Sequence, residues 1–138
     1  MSRVISTQKP GNIRSQHRRT IAEALRRLSL KSELDGEAKD LAALIVFSLH
    51  GIADTVEQTI EAWEKRDYYV KAERFRQEWR WLNRITDELS AVIYEAQWSQ
   101  LPAILARLTP HFADIKIKQM TRQPALWQGA YERFMQED

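Results

Sequence analysis

From Ala38 onward, apolar residues recur every three or four positions: Leu41, Ala42, Ile45, Leu49, Ile52, Val56, Ile60 and Trp63. That is the period of an α-helix, and no strand keeps such a set on one face. At ~1.5 Å per residue the helix would run for roughly 45 Å, to about residue 66. An element of that length constrains everything else, because the rest of the chain has to cover it. Residues 41–53 contain no Lys, Arg, Asp or Glu. This part of the helix is therefore expected to be buried on most of its faces. The 13-residue run is too short for a membrane span, which needs roughly 20 residues.

Local signals place the other elements. Asp35 is a good N-cap for the long helix, with Glu37 favourable against the dipole in the first turn. Gly51 is expected to weaken or bend the helix in its middle. Asp67 is the next expected cap. After it, Tyr68, Ala72, Phe75, Trp79, Leu82, Ile85, Leu89, Val92, Ile93 and Ala96 form a second long stripe. The connection is very short, so these two helices are expected to form an antiparallel hairpin. A single helix running through Asp67 is the alternative.

Ahead of the hairpin, Asn12 is the expected cap of a first helix. Its face carries Ile13, His17, Ile21, Ala24, Leu25 and Leu28, and it ends near Leu30. Residues 1–12 lack an apolar period and read as a flexible arm, leaving 13–138 as one helical domain. Pro102 and Pro110 follow Ser99 and Thr109 closely and mark short helices over 101–108 and 111–118. Pro124 opens a last helix with Leu126, Trp127, Ala130, Tyr131 and Phe134 at three-to-four spacing. The expected fold is all-α: a long antiparallel helical hairpin with an N-terminal helix and short C-terminal helices packed on it. The segment Asp67-Tyr68-Tyr69-x-x-Ala72-x-x-Phe75 resembles the turn and second helix of a tetratricopeptide unit. No 34-residue period repeats it, and no function is carried over from that family.

With no cysteine among 138 residues, disulfide scaffolds, cysteine nucleophiles, Cys-zinc clusters and Fe–S sites are excluded. The four glycines are far apart, so no phosphate-cradling loop and no Gly-x-Ser-x-Gly elbow is present. No apolar signal region follows Met1, and a cytoplasmic location is expected, with no membrane partner. No cofactor is implied by any motif.

Charge is the most uneven property. The net charge is only +2, but residues 1–31 hold eight basic residues against Glu23 alone, or +7. The remaining 107 residues hold 13 basic and 18 acidic ones, or −5. A basic helix of this kind can bind a polyanion, because affinity for phosphates comes largely from released counterions. Arg14, Arg18, Arg19, Arg26 and Arg27 are the residues that would do so. The opposite reading is that the helix packs on the acidic remainder of its own fold or of a second subunit.

Other constellations are weaker. Arg76, Arg80 and Arg84 lie at i, i+4 and i+8, with Trp81 beside them as a candidate contact residue for a partner. Their plainer reading is a solvated face paired with Glu73 and Glu88. His50 with Asp54, and His111 with Asp114, have spacings at which a helix could present a metal pair. No Glu-x-x-His of the di-iron bundles is present. Trp63, Trp79 and Trp127 are expected in the core, Trp98 at a helix junction, and His17 half-buried in helix packing. Without catalytic signatures, the expected function is a non-enzymatic protein-interaction or scaffold module. A homodimer is expected, since twofold assemblies are the commonest. The alternatives are a nucleic-acid or polyanion binder through the N-terminal helix, and a metal-dependent enzyme.

Overall fold

The computed structural model describes residues 9–137. Six α-helices follow in order: α1 (Pro10–Ser29), α2 (Gly36–Lys65), α3 (Tyr69–Glu78), α4 (Leu82–Tyr94), α5 (Leu101–Leu108) and α6 (Ala130–Gln136). Short 3₁₀ turns lie at Trp98–Gln100, Thr109–Phe112 and Pro124–Leu126. No strand occurs among the described residues, and the fold is all-α as expected. No helix among them is long and apolar enough to cross a membrane.

The long helix α2 is the axis of the molecule. Leu41, Ala42, Ala43, Leu44, Ile45, Val46, Ser48 and Leu49 are all buried. The charge-free run is thus covered on nearly every side, by α1, α4 and α6, while α3 packs on the far half of α2. Its second half buries only Ile52, Thr55, Val56 and Ile60 and turns its glutamates outward. Each fully buried Leu or Ile contributes about 1.5–3 kcal/mol relative to exposure. Asp35 caps α2 as expected, its carboxylate accepting from the Ala38 N–H at 2.8 Å.

The structure alters several local expectations. α1 starts at Pro10, not after an Asn12 cap; Lys9 takes the N-cap position without a side-chain bond. Proline suits the first turn because its missing N–H would have no partner there. Residues 10–12 of the expected arm are thus helical, and residues 1–8 lie outside the described residues. Gly51 does not interrupt α2. It lies where α1 crosses: a Cβ there would sit 2.3 Å from Nε2 of His17. The glycine serves close approach rather than bending, and His17 is half-buried as the helical wheel indicated.

The second long stripe is not one helix. It breaks at residues 79–81 into α3 and α4, both still packed on α2, so the antiparallel hairpin survives with a bent second arm. Side-chain geometry accounts for the break. In a continuous helix Trp79 and Trp81 would point to opposite sides, about 200° apart. The break lets their rings lie 5.6 Å apart, with Trp79 on Phe75 and Trp81 on Phe112.

Asp67 does not cap α3; it ends α2. Its φ is +63°, and the Asp67 and Tyr68 N–H groups return to the Glu64 and Trp63 carbonyls. That is a Schellman motif with aspartate in the place usually held by glycine. Ala96 (φ +55°) does the same at the end of α4, rather than extending its stripe.

The expected helix over 111–118 is absent. Only the turn Thr109–Phe112 forms, and 113–123 runs irregularly across α1. Arg18 of α1 takes the His111 carbonyl at 2.9 Å, which a helix here would use internally, and Arg26 and Arg19 hold the chain further on through Ile117 O at 2.9 Å and Gln119 O at 3.4 Å. The last helix forms only from Ala130, after Gly129 in the left-handed region. Asp40 of α2 caps it, accepting from the N–H groups of Gly129 and Tyr131 at 3.2 and 2.9 Å.

Candidate functional site

The candidate residues fall into three groups, and the fold treats each differently. The five arginines of α1 all face partners within the chain. Arg14 donates to Thr55 Oγ1, Thr55 O and Thr59 Oγ1 at 3.1, 3.2 and 2.7 Å, and stacks over Phe75. Arg18 grips Asp114 with both terminal nitrogens, at 3.1 and 2.7 Å, and lies over the Phe112 ring. Arg19 reaches Glu23 at 2.7 Å. Arg26 binds the Ile117 carbonyl, and Arg27 pairs with Glu37 at 2.9 Å while lying over Trp127. The basic helix is docked on its own fold, through carboxylates, hydroxyls, carbonyls and ring faces alike.

Glu23, the lone acid of this helix, is the centre of that docking. It is 1% exposed. It accepts from Arg19, from Thr121 Oγ1, and from the N–H groups of Thr121 and Arg122 at 2.7 and 2.9 Å. Arg122 closes the network, donating to Thr20 Oγ1 at 3.0 Å and Gln16 O at 2.9 Å. Burial by itself would raise the Glu23 carboxyl. The hydrogen bonds from Thr121, Arg19 and the two backbone N–H groups outweigh it, and the pKa falls to about 2. Charge counting missed this residue because it appears there only as the exception; its central place on the helix was the available signal.

The contact group is split. Arg76 lies on α3 and pairs with Glu73 at 2.7 Å and Glu64 at 3.2 Å. Arg80 falls in the break and donates to Gln77 at 3.2 Å; Arg84 lies on α4. Glu88 is held by Arg107 instead. Trp81 is half-buried, not a projecting contact: His111 stacks on it at 3.7 Å, nearly parallel. The break between α3 and α4 turned it inward.

The metal group does not assemble. His50 and Asp54 are exposed on α2. His111 is occupied by Trp81, where burial lowers its pKa, and Asp114 by Arg18. Among the described residues, no three His, Asp or Glu side chains gather at metal-binding distance. What the fold does bring together are Arg14, Arg18, Trp81 and His111, which line a notch of about 380 Å³ with Phe75 and Glu78.

Two surface features were not singled out by sequence reasoning. A larger cleft of about 830 Å³ lies between α1, α2 and α6, walled by His17, Leu44, Phe47, Arg122 and Arg133. Its His17 imidazole is held below its usual pKa by burial; Asp54 pulls upward and Arg122 downward. A more apolar groove of about 440 Å³ lies between the end of α1 and α5. Its walls include Leu28, Leu34, Trp98, Leu101, Pro102 and Leu105. Beside it Leu30 stands 74% exposed. Leu30 follows the last residue of α1 and Leu34 lies in the turn before α2. Two leucines in a turn otherwise built of Ser, Lys, Glu and Asp were the available signal.

No protein-family model, curated protein or solved structure matches the chain.

Proposed function

We propose that the protein is a non-enzymatic interaction module that pairs with a second copy of itself through the α1–α5 groove, in a cytoplasmic setting. One observation carries this reading: an apolar projection, Leu30, stands next to an apolar groove lined by Leu28, Trp98, Leu101 and Leu105. A knob beside a hole is self-complementary under a twofold axis, since one rotation seats each knob in the other copy's hole. Covering the groove would remove exposed leucines from water at about 25 cal/mol per Å². Of the two charged residues lining it, Lys31 is satisfied internally, by Asp35 at 2.8 Å and Glu37 at 3.0 Å, and Glu33 stands exposed at the edge. Closing the surface would therefore strand few charges.

Sedimentation equilibrium over a concentration series tests this. A dimer is expected, and Leu30→Asp with Leu34→Asp is expected to return it to a monomer with an unchanged circular dichroism spectrum. A wild-type monomer at high concentration, or a dimer indifferent to both substitutions, removes the basis of this reading.

A further inference from the structure

The positive charge that remains available lies not on α1, where the sequence concentrated it, but in the turn after α2 and on α3. Residues 65–84 hold seven basic and three acidic side chains, a local +4. They form the tip between α2 and α3 and the arm beyond it. Among the described residues, Lys65, Arg66, Lys71 and Arg74 have no carboxylate within salt-bridge distance, and all four are exposed. Glu64 and Glu73, close by in the chain, are both occupied by Arg76.

Aromatic faces are interleaved with these cations. Tyr69 is 60% exposed and Tyr68 44%. The Tyr69 hydroxyl donates to Asp67 Oδ1 at 3.2 Å, and Arg66 lies 4.9 Å over the Tyr68 ring, so both rings are held in place. Lys71 is set over Trp63 at 4.6 Å. The Schellman turn at Asp67 ends α2 and brings these residues together at the start of α3.

Exposed rings on which bases can stack, with exposed cations beside them for phosphates, are the composition of a single-strand-binding surface. A membrane fits less well. Val70 is the one aliphatic side chain exposed at the tip, and α3 buries Ala72 alone, with charged residues on its other sides. We propose that the α2–α3 tip binds single-stranded nucleic acid, with Lys65, Arg66, Lys71 and Arg74 on the phosphates and Tyr69 stacked on a base. This surface is separate from the α1–α5 groove and does not depend on dimerisation.

The test uses the full chain and a fluorescein-labelled oligothymidylate of about 20 nucleotides, read by fluorescence anisotropy. Four phosphate contacts on a single strand predict an affinity loss of about 50-fold between about 50 and 200 mM salt. Lys71→Glu with Arg74→Glu is expected to abolish binding at the lower salt. Tyr69→Ala is expected to weaken it by about tenfold, the scale of one lost stack. Arg26→Ala on α1 is expected to leave it unchanged. Thermal melting of each variant verifies that the exposed substitutions leave the fold intact. Flotation with phosphatidylserine vesicles supplies the competing outcome. No anisotropy change at low salt, binding indifferent to the tip substitutions, or capture by vesicles without any oligonucleotide binding would each overturn the proposal.

Discussion

α1 and α3 are both rich in cations, yet their side chains meet different ends. On α1, Arg14, Arg18, Arg19, Arg26 and Arg27 each find a partner in the fold: a hydroxyl pair, a bidentate Asp114, Glu23, a carbonyl and Glu37. On α3, Arg76 alone is paired with carboxylates, while Lys71 and Arg74 face solvent. The difference is one of position. α1 lies in the valley between α2 and the irregular chain 113–123, which brings acceptors to it. α3 packs mainly on α2, and from α1 only Arg14 reaches it, at Phe75, leaving its other faces open. A count of charges along the chain measures supply; the number of neighbouring elements decides what is left over.

That contrast can be broken at its strongest point. Glu23→Ala is expected to cost about 3 kcal/mol, because it leaves Arg19 and the two part-buried N–H groups of the 121–122 turn without their acceptor. Urea denaturation measures it. The same residue predicts an acid limb. Its folded pKa of about 2 lies below the ordinary carboxylate value of 4.5. A depressed pKa stabilises above the unfolded value, and that stability is lost as pH falls from about 4.5 toward 2. At 1.36 kcal/mol per unit, the loss is about 3 kcal/mol. Denaturation at stepped pH should show an acid loss in wild type that is smaller by about this amount in Glu23→Gln, the other ion-paired carboxylates such as Asp114 and Glu37 keeping their share.

Smaller effects sharpen the same comparison. Gly51→Ala places a methyl against the His17 ring and is expected to cost about 1–2 kcal/mol, with His17→Ala in the same chain recovering most of it. Arg14→Ala removes three hydrogen bonds and a ring contact and should cost about 1–2 kcal/mol. Arg74→Ala, the same change on the free helix, is expected to stay within about 0.5 kcal/mol. Equal costs at Arg14 and Arg74 would erase the distinction between docked and free cations.

The elements that could be read from the chain were those whose signal is local and repeated. α2 follows from its apolar period, its start from Asp35, and its burial from the charge-free run 41–53. Trp127 is core and Trp98 sits at a junction against Tyr131, as their settings implied. What escaped depends on partners distant in sequence. The break at 79–81 exists because Trp79 and Trp81 share neighbours in Phe112 and His111, some thirty positions on. The expected helix over 111–118 is absent because α1, about ninety positions earlier, holds the His111 carbonyl and the chain further on. Asp40 gives no hint in its own helix that it caps α6. For the sites, the arginines of α1 were visible as a cluster, but not their acceptors. The free cations of α3 were hidden by interspersed glutamates, two of which Arg76 occupies.

By itself the sequence determined an all-α chain built on one long buried helix, free of cysteine chemistry, with its cations gathered in two stretches. Those properties depend on residue type and on spacing within a few turns, which are written in the chain directly. Only the tertiary structure decided which cations are internal and which remain free. It also decided that Glu23 is a buried anchor and that Gly51 makes room for His17. Each of these is set by a distance between residues far apart in sequence, and no local period encodes it.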